Sequence, residues 1–215
     1  RLAEDLVLWC SQEFAFAELP DALTTGSSMM PQKKNPDGAE LMRGKAGRAI
    51  GNLTALLTVV KGLPLSYNRD LQEDKEPLFD TADTLEMLLP VAARMVRELK
   101  FDLARLRQAA DDPYASATDL ADLLVLKGVP FREAHRHAGE AVAYALKQKK
   151  ALAALTQEEL GRFCPRATAG VFAKLTLEAR LAARSTFGGP APASVARQIR
   201  AARQRLAREM KKNGG

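Results

Sequence analysis

The chain has 215 residues, 47% of them hydrophobic and 27% charged, with a formal net charge of +6. That length and apolar content suit one or two domains with a sizeable core and exclude a disordered chain. No apolar run reaches the roughly 18 residues that span a bilayer, and the widely separated Cys10 and Cys164 form neither a disulfide framework nor a metal site.

Both cysteines are therefore expected to be buried thiols in a reducing cytoplasm. The first residues do not have the form of a signal peptide. The chain opens on Arg1 inside a helical pattern without an evident cap, which reads as a piece of a longer polypeptide. A basic chain raises the question of nucleic acid. Here the Lys and Arg residues are interleaved with acidic ones along helical faces, and no aromatics sit among basic clusters, so no nucleic-acid partner is expected. The positive potential suits a polyanionic small molecule instead.

The hydrophobic period is close to 3.6 almost throughout. Leu2, Leu6, Trp9, Cys10, Phe14 and Ala17 form one helical stripe, ending near Pro20. A polar loop follows, Gly26-Ser27-Ser28-Met29-Met30-Pro31-Gln32-Lys33-Lys34-Asn35-Pro36. Asp37 and Glu40 then have the spacing of a capping box, and the helix they open carries Leu41, Ala46, Ile50, Leu53, Leu57 and Val60 on one face as far as Gly62. A second polar loop runs from Pro64 to Gln72. The next helix, from Asp74–Pro77 to Leu99, carries Leu78, Ala82, Leu85, Leu89, Ala92 and Val96, with a kink expected at Pro90.

Composition shifts near Ala110, and Asp111-Asp112-Pro113-Tyr114 is a candidate boundary between domains 1–110 and 111–215. Beyond it, Thr118 or Asp119 is expected to cap a helix closed by Gly128, and Pro130 opens another reaching Lys150. Thr156 and Glu159 form a further capping box, and Gly188 to Pro192 breaks the pattern before a last amphipathic helix. His135 and His137 are expected on a surface. The fold class is all-α: part of a long-helix bundle, followed by a smaller helical C-terminal domain.

The first polar loop has an inventory beyond what packing requires. When a base removes a proton from carbon beside a carboxylate, the carbanion's charge spreads onto the carboxylate oxygens, which then need cations and donors aimed at them. Lys33 suits that role, with Asn35 as a neutral donor. Ser27 becomes a competent base only if its alkoxide is stabilised in a water-poor site. A helix N-terminus just past the loop adds partial positive charge. The structural alternative is plain turn chemistry, since Gly-Ser-Ser and Asn-Pro are ordinary turn formers.

As a whole string, residues 26–36 resemble the signature loop of the fumarase/aspartase superfamily, Gly-Ser-Ser-x-Met-Pro-x-Lys-x-Asn-Pro, with every fixed position matched. Within it, Gln32 to Asp37, the segment Tyr67-Asn68-Arg69-Asp70-Leu71-Gln72-Glu73-Asp74-Lys75-Glu76, and Leu175 to Glu178 with Phe187 to Pro192 are similar to the argininosuccinate lyase family. Pro190 stands where that family more often has Thr, in a turn.

The resemblance implies β-elimination of argininosuccinate to arginine and fumarate in arginine biosynthesis, with no metal or organic cofactor. It implies Ser27 as general base, Lys33 as stabiliser of the aci-carboxylate, and Asn35, Tyr67, Gln72 and Lys75 as substrate-binding residues. Glu40 matches a supporting position that pairs with the histidine of the general-acid side. That histidine lies on a segment upstream of the signature loop which this sequence does not contain. The resemblance also implies a cytoplasmic homotetramer whose active site draws on several subunits, with the isolated 215 residues inactive. Two alternatives stand beside it: another superfamily lyase, acting on adenylosuccinate or aspartate, or a non-catalytic crystallin-like protein.

Overall fold

The computed structural model describes residues 1–26, 28–30, 33–167 and 170–213. The chain divides into two compact units, Arg1–Arg107 and the remainder from Gln108 onward. Helices dominate both, and an all-α class describes them.

In the first unit, α1 (Leu2–Trp9) buries Ala3 and Leu6. The stripe that the sequence extends to Ala17 stops short, because Ala15 turns to φ 50° and the Phe16 amide donates back to the Trp9 carbonyl at 2.8 Å. Beyond it, β1 (Ala17–Glu18) pairs antiparallel with β4 (Lys100–Phe101). After a 3-10 turn at Asp21–Leu23, β2 (Thr25–Gly26) pairs antiparallel with β3 (Lys34–Asn35), Thr25 opposite Asn35 and Gly26 opposite Lys34. The signature string thus leaves and re-enters a two-rung ladder.

Helix α2 (Asp37–Val60) and helix α3 (Lys75–Glu98), the latter preceded by a 3-10 segment at Arg69–Asp74, form an antiparallel hairpin. α3 is continuous across Pro90. The expected capping box at Asp37 does not form. Pro36 occupies the N-cap, its carbonyl accepts the Ala39 and Glu40 amides at 2.9 and 3.0 Å, and the Asp37 carboxylate accepts the Thr25 hydroxyl instead. At this end a Cβ on Gly38 would lie 3.2 Å from the Leu23 carbonyl oxygen and 3.4 Å from the Met95 sulfur, so glycine permits the close approach. Leu6, Leu19, Ala39 and Met95 form the buried core there, flanked by Leu23, Met42, Val91 and Leu99.

The hairpin seam is not the face that the apolar pattern advertises. Its less exposed positions are Met42, Lys45, Ala49, Asn52, Leu56 and Val59 on α2, and Pro77, Thr81, Thr84, Leu88, Val91, Met95 and Glu98 on α3. Both rows alternate three- and four-residue steps, the spacing of helices packed at shallow crossing angles. Leu41, Ile50, Leu53, Leu57, Leu78 and Leu89 each keep more than half their surface open.

The second unit begins within α4 (Leu103–Ala110) and continues with α5 (Ala117–Leu126) and α6 (Phe131–Lys147). Ser116, not Thr118 or Asp119, is the N-cap of α5, and the Asp119 carboxylate is held by Arg184 at 2.8 and 3.2 Å. Ala134, Ala138, Ala141 and Ala145 line the buried side of α6, letting its backbone approach Leu120, Ala121 and Leu124 of α5 closely. Short helices α7 (Gln157–Gly161), α8 (Gly170–Lys174) and α9 (Leu177–Ala183) complete this core with Leu152, Leu160, Val171 and Leu175. At the turn into α10 (Pro192–Asn213), a Cβ on Gly189 would collide with the Arg184 carbonyl oxygen. Buried Arg180 reaches the Asp111 carboxylate at 3.0 Å.

The capping box at α7 forms as the sequence predicts: Thr156 Oγ1 accepts the Glu159 amide at 3.1 Å, and Glu159 Oε2 accepts the Thr156 amide at 2.8 Å. Lys150 Nζ donates to Glu159 Oε1 at 2.7 Å, and these bonds lower the Glu159 carboxyl from 4.5 to about 2. A depressed folded-state pKa makes the contribution of Glu159 complete above pH 4.5 and lost as pH falls toward about 2. Thr156→Ala is expected to destabilise the second unit by about 1 kcal/mol, read from its urea midpoint at neutral pH. Glu159→Gln should likewise lower that midpoint at pH 7, and its deficit relative to wild type should shrink as acid titrates the native carboxylate.

Candidate active site

The polar segments singled out by the sequence are placed by opposite ends of one helical hairpin. Asn35 is half-buried in β3, one residue before the N-cap of α2, and Glu40 is exposed in the first turn of that helix. Lys33 is exposed, and its backbone amide closes a turn onto the Met30 carbonyl at 3.0 Å. Ser27, the expected base, lies outside the described residues, as do Pro31 and Gln32 of the same string. Tyr67 and Gln72 are exposed on the approach to α3, and Lys75 begins that helix with its ammonium 2.9 Å from the neighbouring Asp74 carboxylate.

Cross-hairpin contacts fix how these groups lie. Arg48 pairs with Asp80 through two nitrogens, and Asn52 Nδ2 donates to Asp80 Oδ2 at 2.7 Å and to Thr81 Oγ1 at 3.0 Å. Ala55 and Val59 line a shallow cleft with Glu73, Glu76 and Pro77. The 67–75 segment therefore lies beside the C-terminal half of α2, while residues 33–40 lie at its N-terminus. The eighteen residue steps of helix from Asp37 to Ala55 span about 27 Å at 1.5 Å per residue. Within one chain, the structure brings Lys33, Asn35 and Glu40 together, and Tyr67, Gln72 and Lys75 together, but does not bring the two sets to one point.

The sequence reading missed the groups that hold these segments in place. Glu18 Oε1 and Asp21 Oδ1 accept from Lys34 Nζ at 2.6 and 2.7 Å, and the pair lifts that ammonium above its ordinary range. The Arg48–Asp80–Asn52 network was also unassigned; an Arg and an Asn at the four-residue spacing of one helix face were its only sequence signal. His137 is a correction. His135 is exposed, as expected, but His137 is largely covered, with its Nδ1 3.8 Å from Glu140 Oε2 and no hydrogen-bond partner. It lines a cavity of about 160 Å³ with Leu124, Glu133, Cys164 and Arg166. Cys164 is buried, and desolvation pushes its thiol up to about 11, whereas Cys10 is only half-buried. Among the described residues, no group of three or more His, Cys, Asp or Glu side chains could hold a metal ion, and no helix is long and apolar enough to cross a membrane.

A family model described as "Argininosuccinate lyase C-terminal" matches residues 114–182, and one described as "Lyase" matches residues 1–51. Argininosuccinate lyase of Syntrophus aciditrophicus is 54% identical over 200 residues, 93% of this chain and 42% of that protein. Its counterpart in Halorhodospira halophila is 56% identical over 207 residues, 96% of this chain and 44% of that protein. Along nearly its whole length the chain is similar to argininosuccinate lyases. It spans less than half the length of these curated relatives. Among solved structures, an EDDS lyase variant with bound fumarate superposes with a TM-score of 0.84 at 28% identity, over 98% of this chain and 44% of that one. The 3-carboxy-cis,cis-muconate lactonizing enzyme from Pseudomonas putida superposes at 0.57 with 20% identity, over 80% of this chain and 41% of that one, a likeness of fold alone.

The register between the two polar segments is held through Asp80, whose carboxyl is lowered from 3.8 to about 2 by Arg48 first and Asn52 second. Carbon-13 NMR of the Asp80 carboxyl should show a titration midpoint near 2 in the wild type. In Arg48→Leu the midpoint should move back toward 3.8, and an unmoved midpoint would remove Arg48 as the cause.

Proposed function

We propose that the whole protein is an argininosuccinate lyase, with residues 1–110 contributing the last part of a central helical-bundle domain and residues 111–215 a helical C-terminal domain. The observation that carries this reading is identity above 50% to several argininosuccinate lyases along 93% or more of the chain, with the signature string intact. Ser27 takes the proton from the succinyl carbon next to a carboxylate. The resulting charge spreads onto that carboxylate, where Lys33 and the Asn35 amide oppose it. The electron pair then expels the guanidino nitrogen, which takes a proton from a general acid on the upstream histidine segment, leaving arginine and fumarate. Tyr67, Gln72 and Lys75 bind the substrate, Lys75 suiting a carboxylate. Glu40 supports the general-acid histidine. Bound fumarate in an EDDS lyase relative of the same fold is in keeping with that product.

Two features favour an assembled site in a cytoplasmic homotetramer. The two polar segments are separated by about 27 Å of helix within one chain, and the outward faces of α2 and α3 carry large apolar side chains that the hairpin itself leaves open. A second antiparallel copy of the hairpin covers those faces and sets the 67–75 end of one chain beside the signature string of another.

The whole protein is expected to release fumarate from argininosuccinate and to be at least about 100-fold slower with adenylosuccinate or aspartate, since groups matched to one substrate's polar atoms are left unpaired by another. Ser27→Ala and Lys33→Met should each lower kcat by about 100-fold or more with the oligomer intact. Near-wild-type turnover in both variants sinks the assigned roles, and an inactive wild type favours the crystallin-like alternative. Leu53→Lys with Leu57→Lys should shift the assembly to smaller species in sedimentation and abolish turnover, while leaving the helical circular dichroism of each chain in place.

A further inference from the structure

We propose that Lys34 is a positioning residue that clamps the stem of the signature loop, so that of the two adjacent lysines only Lys33 is presented to substrate. The proposal rests on the lyase reading above for what the loop does, and on the geometry of the first unit for how it is held.

The stem is weak by itself. Only Thr25–Gly26 and Lys34–Asn35 pair, and two rungs of antiparallel ladder are marginal in water. Side chains supply the restraint. The Lys34 ammonium bridges Glu18 at 2.6 Å and Asp21 at 2.7 Å. Glu18 is anchored in turn, because its strand pairs with Lys100–Phe101. Asp21 opens a 3-10 turn whose last residue, Leu23, donates its amide to the Pro20 carbonyl at 2.9 Å. On the other side of the stem, Thr25 donates to Asp37 in the first turn of α2. The loop is therefore tied to three elements that are themselves held.

Lys34 is a poor direct participant in the chemistry. Its charge is already opposed by two carboxylates, which leave little net field for a substrate anion. Lys33, just before β3 at the end of a turn, is exposed and is not part of the Glu18–Lys34–Asp21 cluster. Both carboxylates and the ammonium are about half exposed or more, so these pairs add little to global stability. Their effect is local, on the fraction of time the loop is in register.

The test compares the full-length protein with Lys34→Met, with Glu18→Gln plus Asp21→Asn, and with all three changes together. A clamp predicts kcat lower by about tenfold in the first two, KM within about threefold of wild type, and unchanged unfolding temperature. It also predicts that the triple variant is no slower than either, since all remove one linkage, and that Lys34→Arg recovers most of the loss. The proposal is overturned if Lys34→Met turns over normally. It is also overturned if the acid variant is normal while Lys34→Met is inactive, which places Lys34 on the substrate, or if the losses multiply in the triple variant. Should the wild type release no fumarate from any succinyl substrate, the lyase reading fails by itself. The clamp is then read from hydrogen exchange of the peptide spanning residues 27–33, expected to be about tenfold faster in Lys34→Met and in the acid variant; equal exchange in all variants overturns it.

Discussion

The rigid length of the α2–α3 hairpin is the constraint on which the rest depends. A helix advances 1.5 Å per residue, so a 24-residue α2 is a strut of about 36 Å that no side chain can bridge. Arg48, Asn52, Asp80 and Thr81 lock the register of the two helices near the middle of the strut. Once that register is set, the signature string and the 67–75 segment are committed to opposite ends. A polar network set within an otherwise largely apolar seam suits this task. Its value is in specifying one alignment out of several, since an all-leucine seam slides by a turn at little cost.

Not all the large apolar residues fit into that seam. A hairpin that places Asn52, Asp80, Thr81 and Thr84 among the apolar residues of its seam has its Leu41, Ile50, Leu53, Leu57, Leu78 and Leu89 rows facing outward. Leaving so much contiguous apolar surface in water is unfavourable by roughly 25 cal/mol for each Å² that a partner could cover. The separated polar segments and the outward apolar faces both support the proposed assembly of several copies, although one arises from helix length and the other from side-chain placement.

Much of this was legible in the residues. The 3.6 period located α2 and α3 within a residue or two because both are long, and α2 is also bounded by Pro36 and Gly62. The Thr156–Glu159 box was readable because its two hydrogen bonds are local. What failed depended on partners distant in sequence. Asp37 had the spacing of a cap, but Thr25 engages its carboxylate and Pro36 takes the cap position. The stripe through Ala17 kept its period while the chain turned at Ala15 toward a strand whose mate is 83 residues on, a pairing no local pattern announces. His137 looked like a surface residue because Glu133, Arg136 and Glu140 surround it on the helix, yet Cys164 and Arg166 arrive from a later segment to cover it. Periodicity identified the apolar faces correctly but could not say that they turn outward, since a stripe has the same spacing whether its cover comes from the same chain or another.

The candidate site shows the same division at the scale of two residues. Lys33 and Lys34 are chemically identical, and both stand in a string rich in turn formers. Composition cannot assign them different work. Their distinction comes from Glu18 and Asp21, which lie outside the string and converge on one ammonium only because β1 is pinned to β4 and the 3-10 turn follows at once. Under the proposed lyase reading, the two carboxylates on Lys34 oppose the charge of a cation that the substrate does not need there. Among the described residues, Lys34 is held by both carboxylates, at the position the superfamily motif leaves variable, and Lys33 is exposed at the position it fixes. An elimination that builds charge on a single carboxylate is better served by one correctly aimed ammonium than by two mobile ones, because stabilisation that is already in place requires no reorganisation as the charge develops.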